Sequence, residues 1–99
     1  MNEMQDPYAL IGAARGFLTS GYDFEREVDV KATPYKALCA LKFAYVAVTS
    51  SLTGERLQKA VVEIHTLLGS VYQHGLPEGY QSELDSFEMQ LREHPALQA

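Results

Sequence analysis

The sequence predicts an all-α fold, an antiparallel bundle of about four helices forming a single domain over residues 1–99. Three observations predict it. Apolar residues recur at three- and four-residue intervals in four separate stretches, which is the period of a helix face. Pro7 and Pro34 each follow a capping residue, Asp6 and Thr33, in the first turn where a missing N–H costs nothing. No hairpin signal, internal repeat or low-complexity tract breaks the pattern, and the connections are short or moderate, as between antiparallel neighbours.

The first helix opens at Asp6-Pro7, turns Leu10, Ile11, Ala14, Phe17 and Leu18 to one face, and stops at Gly21. Gly12 and Gly16 lie on it as a GxxxG pair, which in a water-soluble helix marks a small-residue contact or simple tolerance. Residues 22–32 are an ordered connector whose aromatics tuck against the bundle; a short helix, an extended arm and a loop all fit Phe24, Val28 and Val30 set among charges.

Thr33 caps the second helix. Leu38, Leu41, Tyr45, Val48 and Leu52 then repeat at 3-4-3-4 spacing, a helix-packing seam,. The other faces are apolar or small as well, with Cys39, Phe43 and Val46 among them. A helix apolar nearly all round sits inside a bundle or under a bound partner.

The third helix starts near Thr53-Gly54 and carries Leu57, Val61, Ile64, Leu68 and Val71 inward, ending at His74-Gly75 before Leu76-Pro77,. The fourth covers Tyr80 to Glu93 with Tyr80, Leu84, Phe87 and Leu91 inward, and Pro95 bars its extension. Ser82 with Asp85 resembles a capping box at its start,.

Composition narrows the function. Hydrophobic residues make up 46% and charged residues 21% of the 99, as in folded proteins. A chain this short buries about 60–65% of its unfolded surface, which leaves little for a deep, water-excluded active site. The net charge of −5 argues against nucleic acid, whose phosphates need clustered Lys and Arg. Lys31, Lys36, Lys42, Arg56 and Lys59 stand against Glu55 alone over residues 31–59, between acidic stretches, so intramolecular complementarity between neighbouring helices is expected. The longest apolar run, Ala37 to Val48, contains Lys42 and is too short to span a bilayer. With Cys39 as the single cysteine and no secretory signal at Met1 to Asp6, a cytoplasmic location is expected.

Catalytic groups do not assemble. His65 and His74 are nine residues apart, on opposite faces of one helix,. His94 sits beside Pro95 at a helix end, and Cys39 lies in an apolar stretch that reads as inert core,. No P-loop, GxGxxG, GxSxG or Glu-x-x-His pair is present,. The expectation is a non-enzyme with no cofactor and no metal. Six tyrosines (Tyr8, Tyr22, Tyr35, Tyr45, Tyr72 and Tyr80) fill bundle rims or face a partner, since tyrosine suits both roles.

Three stretches resemble the flagellar export chaperones of the FliS family. Ala32-Thr33-Pro34-Tyr35-Lys36-Ala37-Leu38 is similar to the Ala-Ser-Pro-x-x-Leu opening of the family's long helix. Leu57 to Ile64 resembles its Lys-Ala-x-x-Ile-Ile segment, and Leu84 to Met89 its later Leu-Asp-x-Leu-x-x-Met stretch. Leu41-Lys42-Phe43-Ala44 stands where the family has Leu-Tyr-Asp-Gly, the paired glycines before the later stretch are missing, and the first helix is additional. The resemblance implies a helical bundle that wraps the disordered C-terminal segment of a flagellin-like or other secreted subunit in the cytoplasm.

The leading expectation is therefore a chaperone or adaptor that takes an amphipathic or disordered segment of another protein, with Tyr35, Leu38, Tyr45 and Leu52 as the partner-binding residues,. Two other readings stay open. One is a small acidic inhibitor, of phage or mobile-element type, that blocks a host factor. The other is a homodimer burying the same apolar surface.

Overall fold

The computed structural model describes residues 7–19, 32–76 and 78–98. They form α1 (Pro7–Thr19), α2 (Ala32–Ser51), α3 (Gly54–His74) and α4 (Gln81–Arg92), closed by a 3-10 turn at Pro95–Leu97. No strand occurs among the described residues, and the expected helical bundle is what the chain builds. Asp6, Gly21 and the connector at residues 22–31 lie outside the described residues, and Ala32 is already helical.

Each helix start has a local cause. α1 begins at Pro7, whose fixed φ suits the first helical position. α2 begins at Ala32, so Thr33 falls inside the first turn instead of ahead of it, and Pro34 still needs no hydrogen bond there. α3 follows Thr53, which is extended but makes no side-chain cap; Glu55 in the first turn and His74 in the last suit the helix dipole,. Gly75 ends it with φ 83°, a conformation that favours glycine, and its N–H donates to the Val71 carbonyl at 2.9 Å.

The Ser82–Asp85 capping box does not form. α4 starts at Gln81, which puts Ser82 within the helix, and Asp85 instead accepts from the Tyr72 hydroxyl at 2.7 Å and from Gln81 Nε2 at 3.3 Å. After Arg92 the chain turns at His94, whose Nδ1 accepts from the Ala96 N–H at 3.0 Å and opens the 3-10 turn.

The inward stripes meet in one core. Ile11, Ala14 and Leu18 of α1 are buried with Leu38, Leu41 and Val48 of α2, with Val61, Ile64, Leu68 and Val71 of α3, and with Leu84, Phe87 and Leu91 of α4. Leu10, Phe17, Tyr35, Tyr45, Leu52 and Leu57 are half-buried around it. The protein is only 18 Å across its thinnest direction, about two helix diameters. Every helix therefore keeps a face to solvent.

α2 meets its neighbours in two ways. It packs most extensively on α1, through the buried side that carries Ala37, Ala40 and Ala44, with Ala14 buried on α1. Small side chains let helix axes approach closely. Toward α4 it reaches with long groups instead. Tyr35 packs on Tyr80 with ring centroids 4.5 Å apart, Tyr45 meets Phe87 edge-on at 5.8 Å, and Lys42 Nζ donates to Glu83 at 2.7 Å. That last pair joins the basic stretch to an acidic one, as complementarity within the chain requires. Arg15 likewise pairs with Glu63 between α1 and α3.

Candidate partner-binding site

The seam Leu38–Leu41–Tyr45–Val48–Leu52 points into the bundle. Leu38, Leu41 and Val48 are fully buried, and Leu52 packs against the core. Tyr45 is held between Phe87 and the His94 ring, whose centroid is 6.1 Å away. Tyr35 is half-buried against Tyr80. Of the four residues expected to face a partner, Leu38 is inaccessible, and Tyr45 and Leu52 are occupied by the protein's own side chains. For Tyr45 the reason is the placement of α4 and the turn after it, which bring Phe87 and His94 against its ring.

The apolar surface left open lies on the opposite side of α2. Phe43 is 66% and Val46 61% exposed, values that set them apart from every aliphatic or aromatic residue of the core. Together with Ala47, Ser50 and Ser51 they form one wall of a cleft of about 460 Å³, and Pro7 and Leu10 from the first turns of α1 form the other. None of these seven residues is ionisable. The cleft is thus shaped by two helices whose contributing residues are more than thirty positions apart in sequence.

The hydroxyls along this wall are spoken for. Ser50 Oγ donates to the Val46 carbonyl at 2.7 Å and Ser51 Oγ to the Ala47 carbonyl at 2.6 Å. Side chains bonded back to their own helix present mainly carbon outward. The cleft consequently asks for apolar contact and offers few directional hydrogen bonds.

Cys39, Phe43, Val46 and Ser50 follow a 4-3-4 spacing and share a stripe about 60° wide at ~100° per residue. Cys39 is partly exposed on it, not buried in the core as its apolar neighbours suggest. Lys36 continues the stripe toward the N-terminus and is exposed. Gly12 of α1 makes no close helix contact among the described residues: a Cβ there would meet open space.

Titratable groups elsewhere are structural in their geometry. The Tyr35 hydroxyl is pushed up to about 12, first by its hydrogen bond with the Cys39 side chain and then by the charges of Cys39 and Glu83. Tyr72 is also pushed up to about 12, by burial first and then by its hydrogen bond to Asp85. Burial raises Tyr45. Glu88 takes Arg92 Nε at 2.5 Å and lies 3.5 Å from His65 Nε2. No group of three His, Cys, Asp or Glu able to hold a metal occurs among the described residues. No helix among them is long and apolar enough to cross a membrane.

The sequence named Phe43 and Val46 among the residues encircling α2 but favoured its regular leucine seam. Pro7 and Leu10 went unselected. A usable signal existed in the second 4-3-4 repeat on the same helix, since only one of two such seams can face the core. Comparison of the chain with family models, with curated proteins and with solved structures returned no match.

Proposed function

We propose that this protein is a non-catalytic binding module, a chaperone or adaptor of the secretion type, that holds an amphipathic or disordered segment of another protein in the α1–α2 cleft. The observation that carries the reading is the pair Phe43 and Val46, both more than 60% exposed beside Pro7 and Leu10 on an uncharged wall. Large apolar side chains gathered in a cleft at a protein surface are the usual receptor for the apolar face of a helix or extended peptide. The internally bonded hydroxyls fit the same use, because the apolar face of a helical occupant strands no polar group on either side.

The test uses the intact protein as bait and then its effect on stability. Segments of captured proteins are synthesised and added to the wild type and to Phe43→Asp, and the melting temperature is followed. A true ligand raises the melting temperature of the wild type with concentration, by mass action, and leaves Phe43→Asp unmoved. Equal shifts in both proteins, or none from any captured segment, reject the cleft as the site.

A further inference from the structure

We propose that the C-terminal turn is held by a pH-sensitive latch: neutral His94 keeps Pro95–Leu97 against the start of α3, and protonated His94 releases it. No residue lining the α1–α2 cleft takes part, so this device is independent of the binding function proposed for that cleft.

The latch depends on one nitrogen. His94 follows the end of α4 in an extended conformation, φ −74° and ψ 137°, as a residue before proline must. Pro95 has no N–H, so the first donor of the turn is the Ala96 N–H, and His94 Nδ1 accepts it at 3.0 Å. A backbone N–H can only donate, so Nδ1 carries a lone pair and the ring holds its single proton on Nε2. Protonation places a second hydrogen on Nδ1. Two donors then point at each other, and the ring must turn away. The same ring stands edge-on to Tyr45, with centroids 6.1 Å apart, so turning it disturbs both contacts.

Little else ties the turn down. Leu97 N–H donates to the His94 carbonyl at 2.9 Å, Gln98 N–H to the Pro95 carbonyl at 3.1 Å, and Gln98 Nε2 to the Arg92 carbonyl at 3.3 Å. These bonds all lie within residues 92–98 and would travel with the turn. Its hold on the bundle is the packing of Ala96 and Leu97 on the core, beside a shallow cleft that Gly54, Leu57 and Gln58 of α3 share with His94 and Pro95. Release uncovers Tyr45 and Leu57, an apolar surface closed at neutral pH.

The surrounding charges leave the proton's effect uncompensated. From α2 comes the Tyr45 phenol, which burial raises and which is uncharged in neutral and acid solution. At the start of α3, Glu55 pairs with Lys59 at 3.5 Å and Arg56 is exposed. On α4, Glu88 takes Arg92 at 2.5 Å and lies 3.5 Å from His65, and Glu93 is exposed. None of these ion pairs includes His94. The C-terminal end of α4 favours a cation and the N-terminal end of α3 disfavours one, so the two dipoles oppose. The released ring binds a proton more readily than the latched one. Closure is therefore complete above about pH 6.5, where imidazole ordinarily loses its proton, and weakens below it by at most about tenfold per pH unit for one proton.

Amide exchange by solvent-saturation-transfer NMR on the full chain tests the latch. Between about pH 7.5 and about pH 5, protection of Ala96 and Leu97 should fall at least about fivefold, the cross-peak between the His94 and Tyr45 rings should weaken, and protection of Leu68 in the core should hold. His94→Asn keeps a side-chain acceptor for the N–H two residues on but does not titrate, so its turn should stay closed at both pH values. His94→Leu has no acceptor and should be open at both. His65→Gln should respond as the wild type does. Equal wild-type protection at the two pH values overturns the proposal, and so does a loss shared by Leu68, which would be general acid unfolding. An Asn variant that opens like the wild type, a Leu variant as protected as the wild type at neutral pH, or a response abolished by His65→Gln overturns it equally.

Discussion

The two apolar stripes of α2 are alike in spacing and nearly alike in residue type, yet one is buried and the other is open. Leu38, Leu41 and Val48 are fully buried, and on the opposite side Phe43 and Val46 are more than 60% exposed. The difference teaches that a helix without a polar face does not specify its own inside. The choice is made by partners remote in sequence. Tyr80 just ahead of α4 and Glu83 and Phe87 within it engage Tyr35, Lys42 and Tyr45, α1 and α3 pack on α2 more extensively still, and Phe43 and Val46 are left exposed.

Truncation breaks this comparison most directly. Leu41→Ala or Ile64→Ala should each cost about 2–5 kcal/mol in urea unfolding, as buried leucine-sized deletions do, because both side chains are fully buried. Phe43→Ala and Val46→Ala should each change stability by less than about 0.5 kcal/mol. Comparable losses on the two sides of α2 would mean that the outer stripe is covered in the free monomer.

Alkaline titration probes the side of the bundle that α4 occupies. A phenol ordinarily ionises near 10, and Tyr72 is held up to about 12 by burial and by its bond to Asp85. The unfolded chain therefore loses its proton first as pH rises. The stability that Tyr72 lends is complete below about pH 10 and is lost as pH climbs through about 12. Tyr72→Phe should accordingly show a shallower fall in urea midpoint over that window than the wild type. Parallel curves would show that Tyr72 ionises alike in both states.

The smallest expected effect belongs to the Lys42–Glu83 pair. Both side chains remain about a third or more exposed, so Glu83→Gln should cost less than about 1 kcal/mol, and less still at high salt. A loss of 2 kcal/mol or more would assign this single contact a decisive part in orienting α2.

How much of this was legible in the sequence differs by helix. In α3 and α4 the inward residues alternate with charges, so Val61, Ile64, Leu68 and Leu84, Phe87, Leu91 were identifiable from spacing and are buried, whereas Tyr80, expected inward with them, is exposed. The end of α3 at Gly75 was legible from the glycine itself. The start of α4 near Tyr80 was legible too, but its Ser82–Asp85 cap was not, because Asp85 bonds instead to Tyr72, thirteen residues back. The site was only half legible. Spacing gives two seams on α2, but the cleft needs Pro7 and Leu10 beside Phe43 and Val46, a juxtaposition that no local pattern encodes.

The alanines buried on α2 carry one more consequence, for how this protein can change over time. Ala37, Ala40 and Ala44 have almost no side chain to lose, so deletion is not the hazard on the side of α2 that they line. Enlargement is: a leucine at Ala40 or Ala44 has no room and should cost about 1–3 kcal/mol by overpacking. Toward α3 and α4 the hazard reverses, since Leu68, Leu84 and Phe87 fill space that smaller residues would leave empty. Sequence drift is therefore one-directional on each side of the bundle, barred from growing on one flank and from shrinking on the other. The outer stripe between them is bound by neither limit, and its residues can vary without touching the fold.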